Sequence, residues 1–235
     1  MTSGFFNVLR REMRAAFGSP IAYIVIVVFL TVTGWFFFTP FFLNGRADMR
    51  DFFRLLPLTL GLVVPAVTMR IFAEEFSSGS YEVLTTLPLS LYDVLLGKFA
   101  GSLSFIILMI VPTFVYPLIV SSLGDLDWGP VFGGYIGTVL IAALYCSVGL
   151  FASALTSNQI VAFIIGLVIC AFLVLIDKML FFMPVSLTDI FQHLGADYHF
   201  KNIAKGVIDT RDVIYFLSGS FVFVLATRVV VERRI

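Results

Sequence analysis

Charge is scarce in this chain. Asp, Glu, Lys and Arg make up 13% of its 235 residues, and they cancel to a net charge of zero. Soluble domains carry about 25% charged residues. That shortfall, with 60% hydrophobic residues and a mean hydropathy of +1.03, excludes a soluble protein and leaves composition with no pointer to nucleic acid. Cysteine is nearly absent. Cys146 and Cys170 both fall in apolar runs, where they read as small packed hydrophobes rather than as a disulfide or reactive pair. No Asn-x-Ser/Thr sequon occurs, and no G-x-x-x-x-G-K-[ST] stretch, so the chain has no P-loop with which to bind ATP. A cleavable signal peptide is not evident, because the first apolar run is too long for one.

What is present is apolar sequence. A bilayer core needs about 20 apolar residues per helix. Six stretches meet or approach that length: Ile21–Leu43, Leu55–Met69, Phe99–Leu123, Val131–Leu155, Ile160–Ile176 and Val213–Val231. The expected fold is therefore all-α and integral to the membrane, a single transmembrane domain over 1–235. No Asp, Glu, Lys, Arg or His falls in the central part of any of these spans. Ion-coupled transporters place ionisable groups there despite a cost of about 2.5–3.5 kcal/mol each, and an intramembrane serine protease needs a base beside its serine. Both classes are disfavoured.

Six spans put both termini on one side. Arg10, Arg11 and Arg14 stand next to the first span, which favours cytoplasmic termini under the positive-inside rule; Arg46, Arg50 and Arg54 argue the other way. Over residues 4–17, Phe5, Leu9, Met13 and Phe17 recur at spacings of four while the three arginines face elsewhere. That pattern predicts an amphipathic helix in the membrane interface, with a plain extension of the first span as the alternative.

Between the second and third spans, residues 70–93 form the one acidic, turn-punctuated stretch expected on the cytoplasmic side. The second helix is expected to run past Arg70 to Glu74 and Glu75 and to stop at Gly79, a natural C-terminal cap. Ser80 is expected to cap a two-turn helix, Tyr81–Leu87, with Glu82 in its first turn, ending before Pro88. Ser90 and Asp93 then form a capping-box-like start for the third span. The plain alternative is a solvated loop.

On the opposite side, residues 177–212 form a long segment with an amphipathic core (Ile190, Phe191, Leu194, Phe200, Ile203, Val207, Ile208), expected as helices in the interface. Asp189 with His193 and Asp197 with His199 are a weak metal set, and surface polar residues are the expected reading. Gly97-x-x-x-Gly101, Gly133-x-x-x-Gly137 and Gly149-x-x-x-Ser153 permit close helix approach.

The loop Arg70-Ile-Phe-Ala-Glu74-Glu75, Gly79-Ser-Tyr81-Glu82-Val-Leu84 and Leu87-Pro88-Leu-Ser90, with six spans and an N-terminal amphipathic helix, resembles the membrane subunit of type-2 ABC exporters over essentially the whole length. The tail from Lys205 to Phe216 resembles the branch containing the gliding-motility permease GldF and the NosY-like permeases. The resemblance implies a permease subunit in the bacterial inner membrane, multi-pass with cytoplasmic termini. It would have no catalytic residues, metal or cofactor of its own, with ATP and Mg bound by a separate P-loop ATPase subunit. It implies that the helix after the second span is a coupling helix, with Arg70, Glu74, Glu75, Gly79, Tyr81, Glu82, Leu84 and Pro88 at the ATPase contact and Ser157 and Asn158 as a second contact. Phe5, Leu9, Arg10, Arg11, Met13, Arg14 and Phe17 would belong to the connecting helix. A second copy or a paralogous permease would complete a dimer, with a membrane-anchored extracytoplasmic subunit as a further expected partner. On this reading Glu75→Arg would uncouple transport and leave the protein folded. The alternative from another class is an ATP-driven scaffold or mechanotransducer, as in gliding or assembly machinery, that moves no solute.

Overall fold

The computed structural model describes residues 2–85, 90–179 and 194–234. Every regular element among them is helical: α1 (Thr2–Phe17), α2 (Pro20–Asn44), α3 (Arg50–Thr68), α4 (Arg70–Ser78), α5 (Ser80–Thr85), α6 (Leu91–Ile110), a 3-10 turn (Val111–Phe114), α7 (Val115–Leu123), α8 (Trp128–Leu155), α9 (Gln159–Met179), α10 (Ala196–Ala204) and α11 (Thr210–Glu232). Six runs are long and apolar enough to cross a membrane: Pro20–Leu43, Arg50–Ser78, Leu91–Leu123, Trp128–Leu155, Gln159–Asp177 and Thr210–Glu232. They follow the order expected from hydropathy. Their ends reach further, because polar residues such as Arg50, Asp93 and Glu232 continue the helices beyond the apolar runs.

Burial divides the spans into centre and periphery. In α8, 78% of the apolar window is buried, against 22% in α2 and 17% in α11. Small residues on α8 (Gly133, Gly134, Gly137, Ala142, Gly149, Ala152, Ser153) are all buried, and they let α3, α4, α6, α9, α10 and α11 come into contact with it. A helix surrounded by other helices must have short side chains on several faces, whereas one facing lipid need not.

Two spans are interrupted. In the third, Pro112 lacks an amide hydrogen and the backbone tightens into the 3-10 turn. The Tyr135 hydroxyl donates to the Thr113 carbonyl at 2.9 Å there. In the second, the helix breaks between Thr68 and Arg70. Break points in lipid need substitute partners for the freed backbone groups. The Ser153 hydroxyl supplies them: it accepts from the amides of Phe72 (2.9 Å) and Ala73 (3.0 Å) and donates to the Met69 carbonyl (2.8 Å).

One turn along α8, Gly149 lies against Thr68. A Cβ built there would collide with Thr68 Oγ1 and come within 2.7 Å of its Cβ. The expected Gly149-x-x-x-Ser153 pattern is thus a seat for the break in the second span, glycine giving space and serine giving hydrogen bonds. Gly149→Ala is expected to push α3 from α8 and destabilise the protein by about 1–3 kcal/mol, the usual cost of overpacking. A thermal unfolding series in detergent checks this; an unshifted midpoint would contradict the close approach.

Candidate functional site

The end of the bundle that carries both termini gathers α1, α4, α5, the start of α6 and the α8–α9 turn. Arg234 donates to the Leu155 carbonyl at 2.6 Å and stacks over Phe76 at 4.5 Å. Arg228 stacks on Tyr92 and hydrogen-bonds its hydroxyl. The C-terminal end of α11 is therefore held against α4, α6 and α8.

Gly79 adopts φ +72°, left-handed backbone that glycine takes without strain, and closes α4 as expected. α5 follows directly. Ser80 is its first helical residue rather than its cap, since the turn at Gly79 leaves no extended residue in between. The expected end of this helix at Leu87–Pro88 lies outside the described residues, as do the surroundings of the Leu84 side chain. Ser90 caps α6 as expected, accepting from the Asp93 amide at 3.1 Å.

Lys98 holds this end together. It lies on the second turn of α6, with a side chain 1% exposed. Its ammonium stands 2.8 Å from Glu75 Oε1 and 3.0 Å from Glu12 Oε1. It also donates to the Ile71 carbonyl at 3.0 Å and lies 5.1 Å from the centre of the Phe72 ring. Arg11 reaches the same Glu75 oxygen at 2.5 Å. One cluster thus joins α1 (Arg11, Glu12), α4 (Glu75) and α6 (Lys98). From sequence, Lys98 reads only as a basic residue flanking the loop, and Glu12 gives no signal; the available clue was a lysine directly before an apolar run with carboxylates in neighbouring segments.

Two of the expected contact residues lie inside the chain. Glu75 is buried and turned into its own subunit, paired with Lys98 and Arg11. Glu75→Arg would set a third cation beside Lys98 and Arg11 and disturb the fold rather than act selectively on coupling. Tyr81 is also buried, its ring edge-on to Phe76 at 4.9 Å, and its hydroxyl pKa is raised by burial and by the charge of Glu75. Glu74 and Glu82 remain exposed, and Arg70 is half-buried. Arg70 and Glu74 line a cavity between α1, α4 and α6. Ser157 and Asn158 are exposed at the α8–α9 turn, where the Asn158 side chain accepts from the Ile160 amide at 2.9 Å.

α1 is amphipathic, but its most buried apolar side chain is Val8, seated on Gly97 of α6. Phe5, Leu9, Met13 and Phe17 flank that contact and are half-buried, Arg10 and Arg14 are exposed, and Glu12 lies over Gly101. Gly97-x-x-x-Gly101 is thus the track on which α1 lies.

At the opposite end, α10 is packed inside the bundle instead of lying in the interface. Phe200 and Ile203 sit over Gly137, and the Ile203 carbonyl abuts Gly133. Asp197 and His199, expected at the surface, are buried. His199 Nδ1 is 2.6 Å from Asp212 Oδ1 on α11, and its ring stacks on Tyr215 at 4.1 Å. Lys201 bridges Asp177 of α9 (2.7 Å) and Asp197 (2.9 Å). Burial works against its charge, but hydrogen bonds to both carboxylates outweigh this and raise its pKa. These pairings engage Asp197 and His199 structurally, and no group of three metal-ligating side chains occurs among the described residues. Asp189 and His193, with Ile190 and Phe191, lie outside them. Leu194, Val207 and Ile208 are exposed.

A family model described as ABC-2 family transporter protein matches residues 47–204, more than half of the chain. The match takes in α3 to α10, including Glu75, Lys98 and Ser153, and leaves out α1, α2 and α11. No curated protein matches the sequence. Removing one partner of a buried ion pair costs about 3–5 kcal/mol. Lys98→Met is expected to lower stability by that order, and Glu75→Gln in the same chain to recover part of it. Unfolding midpoints of the single and double variants measure this; equal midpoints for Lys98→Met and the parent would show that the cluster holds nothing.

Proposed function

The chain belongs to the ABC-2 family of transporter membrane proteins, and on that premise we propose that it is the multi-pass permease subunit of an ATP-driven complex whose ATPase is a separate chain. ATP and Mg would be bound by that chain, and this subunit would be non-catalytic, receiving motion and passing it into the membrane. The observation that carries the reading is the α4–α5 unit: two short helices turned on Gly79, continuous with the second span, and fixed to α1, α6 and α8 by Lys98, Glu75 and Ser153.

A unit so braced transmits force as a lever. The surface proposed for the ATPase is α5 with Glu82, together with Ser157 and Asn158 at the neighbouring turn. Glu74 and Arg70, which line the cavity, and Glu75, which is buried, are left out of it. The charge asymmetry around α1 supports an orientation with this end in the cytoplasm of a bacterial inner membrane. Two copies, or one copy and a paralogue, would pair so that two such units meet the two ATPase subunits.

The test is affinity purification of the tagged chain from its own membranes in mild detergent. A P-loop ATPase should co-purify. Glu82→Arg with Asn158→Arg should lower its recovery about tenfold, the equivalent of about 1.4 kcal/mol, without altering the size-exclusion profile of the permease. An ATPase retained equally by the variant would remove this surface from the contact, and no ATPase in any preparation would remove the reading itself.

A further inference from the structure

The end of the bundle that carries the termini contains a cavity of about 590 Å³ between α1, α4 and α6. Six charged side chains stand on its wall: Arg11, Glu12, Arg70, Glu74, Glu75 and Lys98. Four of them neutralise one another in the Lys98 cluster. The two left over are Arg70 and Glu74, a cation and an anion one helical turn apart on α4, and neither side chain makes an ion pair or hydrogen bond among the described residues.

The rest of the wall is graded. Near Glu74 it is hydroxylic and exposed, with Ser78 and Ser80. Away from it the lining becomes Ile21, Val67 and Phe105, residues of three apolar spans. Ile21, on the first turn of α2, is 60% exposed, so the apolar part of the cavity opens where lipid would stand. Arg70 and Glu74 lie just past the break between α3 and α4, where the second span turns from apolar to charged sequence.

An occupant that satisfies this wall needs an anion for Arg70, a cation for Glu74 and an apolar tail. Guanidinium pairs well with phosphate, and a carboxylate accepts charge-assisted hydrogen bonds from an ammonium. A solely anionic lipid would set its phosphate beside Glu74 with nothing to neutralise that carboxylate. A soluble zwitterion would leave the apolar floor unfilled. We propose that this cavity is a binding site for a glycerophospholipid whose headgroup carries both phosphate and ammonium, such as phosphatidylethanolamine, with phosphate on Arg70 and ammonium on Glu74. The site lies within one subunit and does not depend on the ATPase reading.

The full chain, in nanodiscs of equal parts phosphatidylethanolamine and phosphatidylglycerol, would be extracted gently and its retained lipid counted by native mass spectrometry. Phosphatidylethanolamine should be retained preferentially. Glu74→Gln should lower its retention about tenfold, the scale of a lost charge-assisted hydrogen bond, while raising phosphatidylglycerol retention, since the carboxylate that opposed an anionic headgroup is gone. Arg70→Gln should lower both and Arg70→Lys should restore them. Ala15→Trp, at an exposed position on the cavity wall, should block both lipids without altering the unfolding midpoint. Equal retention of the two lipids in parent and variants would mean annular lipid only and overturn the proposal. Loss of the bound lipid when an ATPase partner associates would also overturn it, because the cavity would then be a protein socket.

Discussion

The fold at the termini depends on one buried ammonium. Lys98 brings together Glu12 and Glu75, which lie on helices far apart in the sequence, and it does so at a side-chain exposure of 1%. Burying an ion pair seldom stabilises more than a well-packed apolar substitute would, since desolvation offsets most of the attraction. What such a pair supplies is geometry. Apolar contacts let a helix slide, whereas an ammonium with two carboxylates, a carbonyl and an aromatic face has few alternative positions. α1 lies on α6 over two glycines, with Val8 on Gly97 and Phe17 against Phe105, and the ammonium fixes its position along that track.

The second constraint is the hydroxyl of Ser153. A helix broken at Met69 would leave the Phe72 and Ala73 amides without acceptors in a region short of water, and Ser153 accepts from both. α4 is therefore anchored on two sides, to α8 by neutral hydrogen bonds and to α1 and α6 by charge. A segment held at so many points moves as a body with its neighbours. That rigidity suits a lever, and it also explains how the short helix after Gly79 can keep its direction relative to the bundle.

The spans were legible because hydropathy acts residue by residue and needs no partner. Gly79 and Ser90 were legible for a similar reason, since a left-handed cap and a capping box are local devices. The Lys98 cluster was not. Its members are separated by more than sixty residues between Glu12 and Glu75, and a charge near the end of a span reads equally well as solvated or as paired. Glu75 was accordingly assigned to the surface with its neighbour Glu74, although helical geometry points adjacent residues about 100° apart. His199 and Asp197 were misplaced for a related reason. A polar segment between spans suggests an exposed loop, and only the small-residue track at Gly133 and Gly137 hinted that a helix could lie inside the bundle.

That track has a consequence for how the two ends communicate. Among the described residues no Asp, Glu, Lys, Arg or His lies in the central part of a span, so no movement of such a charge links the ends. α8 remains as a physical connection: its Gly149–Ser153 turn seats α4, and its Gly133–Gly137 turn seats α10. The two seats are separated by twelve residues, about 18 Å along a helix rising 1.5 Å per residue. α10 is in turn fixed to α9 through Lys201 and Asp177 and to α11 through His199 and Asp212. A tilt imposed on α8 at Ser153 thus has to move α10 or break those pairs. The charges at each end serve the same purpose, converting displacement of a single apolar helix into a change at several contacts.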